Sequence, residues 1–220
     1  IIEFMIGEDT GQKLVDMDLT AFADETASES PAPGGGSISA YVGALGVSLG
    51  TMVANLSSHK RGWDDRWEEF SVWAEKGQAL KDELLFLVDE DTRAFNRIME
   101  GYGLPKATDE EKAARHDAIQ QASRYAMQIP FRVMERSLES MEVMKAMARE
   151  GLEASISDAG VGALCARTAV MGAFLNVRIN AGGVDDKEFV NDLLSRGAEI
   201  EAKALETEKE ILAIVNSKIK

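Results

Sequence analysis

The sequence between residues 38 and 58 reads ISAYVGALGVSLGTMVANLSS, a run without a single charged side chain. Its glycines, Gly43, Gly46 and Gly50, are three and four residues apart, so they share one face of a predicted helix. A glycine inside a helix costs about 1 kcal/mol relative to alanine. Three on one face therefore indicate that another helix packs very closely against this one.

A second segment, over residues 156–180, repeats this use of small residues. Its small side chains are Gly160, Gly162, Ala163, Ala166, Ala169, Gly172 and Ala173. The dominant period elsewhere is helical, and no run shows the alternation of a half-buried strand. The sequence therefore predicts an all-α fold, a helical bundle with two central Gly/Ala-rich helices and long amphipathic helices around them. We expect one domain over residues 17–220, preceded by a linker or docking strip over residues 1–16.

Several residues predict where the helices begin or are interrupted. Ser37 is a favourable N-cap for the first central helix. Thr108 and Glu111 have the spacing of a capping box, and Asp185-Asp186 should open the last helix. Pro130 should kink or break the helix that contains it, because proline lacks the backbone N–H.

Composition excludes several classes of function. The 220 residues carry a net charge of −14, which disfavours nucleic acid as a partner. The apolar stretches are broken by Gly, Ser and Asn, so no membrane partner is expected. The lone Cys165 excludes an intrachain disulfide, and with only two His it predicts no metal site. No leader opens the chain, and we expect a cytoplasmic protein.

Two segments stand out because they lack acidic charge. Residues 37–62 carry no acid, and residues 155–184 carry only Asp158. In a strongly acidic chain, these two segments are where a site for an anion is expected.

The turn before the first central helix is the first candidate for binding. Consecutive glycines at a helix N-terminus expose backbone N–H groups, which suit an anion or a carbonyl oxygen. A tight connection between packed helices explains the same residues. The turn consists of Pro33, Gly34, Gly35, Gly36 and Ser37.

The end of the same helix is a second candidate, because Asn55 precedes the basic residues His59, Lys60 and Arg61. Basic residues here either stabilise the helix C-terminus or form the wall of an anion pocket. Asn176, Arg178 and Asn180 place two amides and a guanidinium at the end of the second central helix. That pattern favours contact with a ligand.

A third candidate combines Asp89 and Asp91 with Asn96 after the apolar run 84–88. An acid beside such a run is expected to be partly buried, with a raised pKa suited to proton transfer. The alternative is an ordinary solvated helix acid. Asp158, at the start of the second central helix, is either an acid favoured by the helix dipole or a further catalytic group.

Five stretches together resemble the cyclodeaminase/cyclohydrolase family, which forms the C-terminal part of bifunctional formimidoyltransferase-cyclodeaminases. They are residues 30–37, 52–56, 89–96, 156–160 and 175–180. The resemblance implies a helical domain that forms a homodimer or larger homo-oligomer. It also implies a folate substrate, polyglutamylated in some forms, an upstream formimidoyltransferase domain, and no cofactor beyond the tetrahydrofolate itself.

Two reactions occur in that family. Cyclodeaminases close 5-formimidoyltetrahydrofolate to 5,10-methenyltetrahydrofolate and release ammonia, a step of histidine degradation. Cyclohydrolases interconvert the methenyl compound and 10-formyltetrahydrofolate. The cyclodeaminase is favoured here, because residues 1–16 precede the matched part without an initiator Met, as a linker would.

The resemblance suggests a division of roles among the candidates. Asp89 or Asp91, with Asp158, would supply the acid/base group. Lys60 and Arg178 would steady the pterin or the glutamate tail. The amides Asn55, Asn176 and Asn180 would bind the pterin edge, and Asn96 would be a further substrate-binding residue. A non-catalytic oligomerisation module remains a further alternative, although it leaves Asp158 and the amide cluster unexplained.

Overall fold

A computed structural model describes residues 13–219, and in this part of the chain every regular element is helical. The helices are α1 (Leu19–Thr26), α2 (Gly35–Ser58), α3 (Trp67–Gly103), α4 (Asp109–Glu150), α5 (Ile156–Asn180) and α6 (Lys187–Lys218). Three single turns of 3-10 helix accompany them, at Leu14–Asp16, Glu153–Ser155 and Ala181–Gly183. The all-α prediction is confirmed. The strip predicted over 1–16 lies mostly outside the described residues.

The helices form two layers. The first layer contains α2 and α5, which pack against each other along their lengths. The second contains α3, α4 and α6: α4 contacts both α2 and α5, α3 flanks α2, and α6 flanks α5. The two small-residue helices are therefore central, as predicted, but the second layer covers only one side of the pair.

Helices α2 and α5 approach each other very closely at two glycines. A Cβ on Gly46 would lie 2.8 Å from the carbonyl oxygen of Gly162, and a Cβ on Gly162 would lie 2.8 Å from the carbonyl oxygen of Gly46. Ordinary van der Waals contacts of a Cβ begin near 3.4 Å. The reciprocal contact confirms why the sequence keeps glycine on the facing sides of both helices.

The core lies between the two layers. Helix α4 contributes its fully buried methionines, Met127, Met134, Met141, Met144 and Met147. Phe70, Leu84 and Leu87 of α3 are also fully buried. Unbranched methionine side chains fit the irregular surface that glycine and alanine leave on α2 and α5. This core holds the ends of the central helices in place.

The predicted caps had mixed outcomes. Thr108 and Glu111 form the expected capping box, and the Asp186 side chain accepts the Phe189 N–H. The prediction that Ser37 is the N-cap of α2 was wrong, because α2 begins at Gly35 with Gly34 as its cap residue. Helix α4 continues through Pro130 without a break.

By length and composition, α2 and the segment Glu153–Gly183 are apolar enough to span a membrane, with mean hydropathies of 1.5 and 1.4. No such stretch was expected from the sequence, because small polar residues interrupt both segments. These are the central helices of the bundle, with 61% and 50% of their apolar windows buried. The core helices of proteins that span no membrane have the same composition. We therefore interpret α2 and the segment Glu153–Gly183 as core helices.

Candidate active site

A cavity of about 170 Å³ lies where the start of α2 meets the second half of α3 and the end of α5. The glycine turn forms one wall, α3 forms a second, and two asparagines of α5 form a third. Its described lining consists of Pro31, Ala32, Gly34, Gly35, Gly36, Asp91, Thr92, Ala94, Phe95, Ile98, Ala126, Asn176 and Asn180. The fold thus joins three of the segments that the sequence analysis selected.

Asp91 is the acid in this cavity. Its Oδ2 accepts the Ser37 backbone N–H at 2.9 Å and lies 3.2 Å from the Ser37 hydroxyl. Burial raises the pKa of the Asp91 carboxyl, and the hydrogen bonds from Ser37 oppose that rise without cancelling it. The carboxyl is therefore easier to protonate than an ordinary aspartate, as a general acid near neutral pH requires.

Glycine at position 36 makes room for this carboxyl. A Cβ on Gly36 would lie 2.2 Å from Asp91 Oδ1 and 2.5 Å from its Cγ. The carboxylate also binds a backbone N–H in the first turn of α2, which otherwise has no partner within the helix. Asp91 therefore caps α2 from a neighbouring helix, a role that the sequence analysis gave to the Ser37 side chain.

Three further polar side chains line the cavity. The Thr92 hydroxyl is buried and has no hydrogen-bond partner among the described residues. The side-chain amide groups of Asn176 and Asn180 donate to the carbonyl oxygens of Gly172 and Ala126 at 2.9 and 2.7 Å. These two bonds fix both side chains and leave each of them a carbonyl oxygen to accept a hydrogen bond. None of the described lining residues is Lys or Arg.

The neighbouring Glu90 differs from Asp91 in its environment, and the sequence analysis did not single it out. Its carboxylate accepts hydrogen bonds from Tyr125 and from Arg93, and Arg97 lies 3.7 Å away. Burial opposes ionisation, but these hydrogen bonds and charges outweigh it and lower the pKa of Glu90. Glu90 is thus a stably charged, structural acid. In the sequence, Glu90 lies three residues before Arg93, and that spacing indicates an ion pair on one helix face.

Three candidates lie near the cavity without lining it. Asp89 accepts the backbone N–H of Leu14 at 2.7 Å, so it anchors the chain before α1. Asn96 is exposed on α3, one position beyond Phe95. Arg178 is exposed and places its guanidinium 5.1 Å from the ring centre of Phe174. Of the two acids offered for proton transfer on α3, the geometry favours Asp91.

The remaining candidates lie at the opposite end of the central helices. Asp158 precedes Asn176 by eighteen residues on α5, a distance of about 27 Å along the helix. Asn55 follows Gly36 on α2 by a similar distance, and Lys60 comes just after that helix ends. The Leu152 N–H bonds to Ser57 Oγ at 2.9 Å, which joins this end of α2 to the start of α5. One copy of the chain therefore separates Asp158, Asn55 and Lys60 from Asp91.

This opposite end has a larger, more open cavity of about 410 Å³. Its lining includes Asn55, His59 and Lys81 together with the apolar side chains Met52 and Leu56. The Lys60 ammonium lies 3.9 Å from the ring centre of Trp63, just past the end of α2. We refer to His59, Lys60 and Arg61 as the cationic end. Within residues 13–219, no group of three or more His, Cys, Asp or Glu could hold a metal ion.

Comparison with known proteins identifies relatives over almost all of the chain. The family model described as formiminotransferase-cyclodeaminase matches residues 18–199. A methenyltetrahydrofolate cyclohydrolase from Methylorubrum extorquens is 36% identical over 201 residues, covering 91% of this chain and 97% of that protein. A formimidoyltransferase-cyclodeaminase from Gallus gallus is 38% identical over 193 residues, covering 86% of this chain but 35% of its own length.

The fold also matches a solved structure. The crystal structure of a formiminotetrahydrofolate cyclodeaminase from Thermotoga maritima superposes with a TM-score of 0.81 at 25% sequence identity. The match covers 92% of this chain and 97% of that one. A protein that carries the cyclodeaminase name thus shares this bundle.

Proposed function

The chain belongs to the formiminotransferase-cyclodeaminase family of folate-processing enzymes, and on that premise we propose that it is a formimidoyltetrahydrofolate cyclodeaminase. It would close 5-formimidoyltetrahydrofolate to 5,10-methenyltetrahydrofolate and release ammonia. The observation that supports this most directly is Asp91, an acid with a raised pKa in a cavity between α2, α3 and α5. For ammonia to leave, an acid beside the amidine nitrogen must donate a proton to it.

The proposed reaction assigns Asp91 two proton transfers. N10 attacks the amidine carbon and forms the new C–N bond, and Asp91 carries the proton that N10 loses to the amidine nitrogen. That nitrogen takes up a second proton, which Asp91 relays from solvent, and leaves as ammonia. Breaking its C–N bond gives the methenyl bridge. A buried carboxyl alternates between its two forms here because its raised pKa brings them closer in free energy.

The other groups of the cavity would position the pterin. Asn176 and Asn180 present carbonyl oxygens to N–H groups on the ring edge. The start of α2 presents backbone N–H groups to a ring oxygen, where the helix dipole favours partial negative charge. The Thr92 hydroxyl would gain the partner that it lacks among the described residues. The enzyme would need no cofactor beyond the folate and would act in cytoplasmic one-carbon metabolism, in histidine degradation.

A second candidate is methenyltetrahydrofolate cyclohydrolase, supported by the Methylorubrum extorquens relative that aligns over 97% of its length. In that reaction Asp91 would act as a base. It would take a proton from the water that adds to the methenyl carbon before the bond to N5 breaks. The same carboxyl therefore serves either reaction, and the substrate distinguishes them.

Absorbance in the methenyltetrahydrofolate band tests both candidates with two substrates in parallel. Growth of the band from 5-formimidoyltetrahydrofolate, with ammonia released, is the expected result. Decay of added methenyltetrahydrofolate above the buffer blank, without turnover of the formimidoyl compound, would establish the cyclohydrolase instead. Asp91→Asn should lower turnover about 10²- to 10⁴-fold, while Asp89→Asn should change it far less. A folded wild-type protein that turns over neither substrate would favour the oligomerisation module.

We also propose that the protein is a homodimer through the uncovered side of α2 and α5. That side carries exposed apolar residues, which we call the apolar face: Leu45, Met52, Leu56, Val161, Leu164, Leu175 and Ile179. Exposed apolar side chains that recur at helical spacing along both helices are typical of an interface. Leu45→Glu should give a monomer by sedimentation while circular dichroism shows an intact helical fold. A dimer of unchanged affinity would place the interface elsewhere.

A further inference from the structure

We infer that the active site is completed by a second copy of the chain, whose cationic end lies against the Asp91 cavity of the first. This inference rests on the proposed folate reaction and adds the residues that bind the acidic part of the substrate. It would reunite two groups of candidates that one copy keeps about 27 Å apart. Each dimer would then contain two equivalent sites, built from both copies.

The apolar face runs between the two ends of the central helices. Leu175 and Ile179 lie near the Asp91 cavity and are 57% and 76% exposed. Leu45 lies at the middle of α2, and Leu56 lies at the cationic end. A partner that covers this face must therefore reach both the cavity and the cationic end.

The charge pattern favours a second copy as that partner. Helix α2 contains no charged residue from Gly35 to Ser58, in a chain whose net charge is −14. Two copies that meet through other surfaces would bring acidic side chains together, whereas meeting through this face avoids that repulsion. Two-fold dimers are the commonest homo-oligomers, and their interfaces use the same patch on both copies.

A two-fold axis in the plane of the apolar face makes the two α2 helices antiparallel when it lies perpendicular to them, and this is the orientation that brings the start of one α2 helix to the end of the other. The midpoint of Gly35–Ser58 lies between Gly46 and Val47, next to the exposed Leu45. An axis near this midpoint pairs the start of one α2 helix with the end of the other. The partner's cationic end would then lie beside Gly36 and Asp91. Within one copy the cationic end and the Asp91 cavity are separated by the length of α2. Pairing two antiparallel α2 helices closes that distance.

The cavity itself indicates that one copy is incomplete. Its volume of about 170 Å³ is smaller than the roughly 300–1,000 Å³ of pockets that enclose a ligand of drug size. It offers an acid and amides but no lining Lys or Arg, although the glutamate end of a folate is anionic. Lys60 and Arg61 of the second copy would supply the missing cations.

Subunit mixing tests the inference directly. Asp91→Asn damages the cavity, and the double variant Lys60→Gln/Arg61→Gln removes the two cations. Each should lose most turnover alone. Mixed after reversible unfolding, half of the dimers should be hybrids with one intact site, which restores about a quarter of the wild-type activity. No recovery in a sample whose hybrids are verified by native mass spectrometry would overturn the inference, as would full activity of the double variant alone.

Two controls match these variants. Asp91→Asn mixed with Gly36→Ala damages the cavity of each copy in a hybrid dimer, so neither site is intact and the mixture should recover nothing. Lys203→Gln/Lys209→Gln removes the same charge from exposed positions on α6 and should keep wild-type activity. Recovery in the first mixture would mean that the assay reports something other than a shared site.

Crosslinking tests the arrangement without reference to activity, so its result stands even if neither folate is a substrate. In a Cys165→Ala background, Leu45→Cys lies near the proposed axis and should join two copies through a short bismaleimide. Ile179→Cys is more exposed but lies far from the axis, so it should remain uncrosslinked. The opposite pattern would rule out the antiparallel arrangement.

Discussion

Replacing Gly36 by alanine tests the site through a residue that carries no functional group. The added Cβ would lie 2.2 Å from Asp91 Oδ1, where an ordinary contact begins near 3.4 Å. The carboxylate must therefore move by about 1.2 Å, because the opposing atoms belong to a short side chain and to the backbone of α2. The movement would break the hydrogen bonds to Ser37 and change the direction in which Asp91 faces the cavity.

The size of that displacement sets the expected loss. A misplacement of about 1 Å at a reacting group can cost about 10²-fold in rate. We expect kcat for Gly36→Ala to fall by about that factor, with the helical content unchanged. Methenyltetrahydrofolate absorbance gives kcat, and circular dichroism reports the fold. Gly34→Ala is the matched control, because its nearest neighbour, the Pro31 carbonyl oxygen, lies at an ordinary 3.7 Å.

A double-mutant cycle separates this explanation from general disturbance of the turn. In an Asp91→Ala background there is no carboxylate to displace, so adding Gly36→Ala should lower turnover no further. Activity of Gly36→Ala within twofold of the wild type would refute the geometry. A further hundredfold loss in the Asp91→Ala background would show that alanine acts through another group.

Three more predictions concern stability and use thermal unfolding. Because the folded pKa of Asp91 is raised above its ordinary value of 3.8, its protonated form favours the folded state. Wild-type stability should therefore decline relative to Asp91→Asn as pH rises from 3.8 through the folded pKa; a difference in Tm that stays constant with pH would contradict this. Gly46→Ala should destabilise the fold by about 1–3 kcal/mol through its contact with Gly162, while Gly182→Ala, with no atom within 4 Å, should be nearly neutral. Tyr125→Phe should lower the free energy of unfolding by about 1.5 kcal/mol, because it removes the hydrogen bond to Glu90. Its kcat should stay within twofold of the wild type. A loss of kcat as large as that of Asp91→Asn would make Glu90 part of the site.

Much of the fold could be predicted because it depends on local patterns. The spacing of Gly43, Gly46 and Gly50 predicts a close helix partner wherever that partner lies in the chain. The caps at Thr108 and Asp186 were predictable because their hydrogen bonds close within three residues. Ser37 was predicted wrongly for the complementary reason, since its N–H is satisfied by Asp91, fifty-four residues away.

The candidate site was only partly predictable. Sequence alone selected the residue types, because a glycine turn, an acid after an apolar run and paired amides each have a local signature. It could not rank Asp89 against Asp91, since Leu14 and Ser37 decide their surroundings from distant positions. It also missed Glu90, whose partner Tyr125 lies on α4.

Sequence by itself determined that the chain forms an all-α bundle around two small-residue helices, and it determined the family. Tertiary structure alone decided which candidates meet. The antiparallel packing of α2 and α5 brings the start of one helix to the end of the other, so Gly36 lies near Asn176, while Asn55, Lys60 and Asp158 lie at the far end. The physical reason is the rigidity of a helix: at about 1.5 Å per residue, two residues nineteen positions apart on one helix cannot reach the same small cavity.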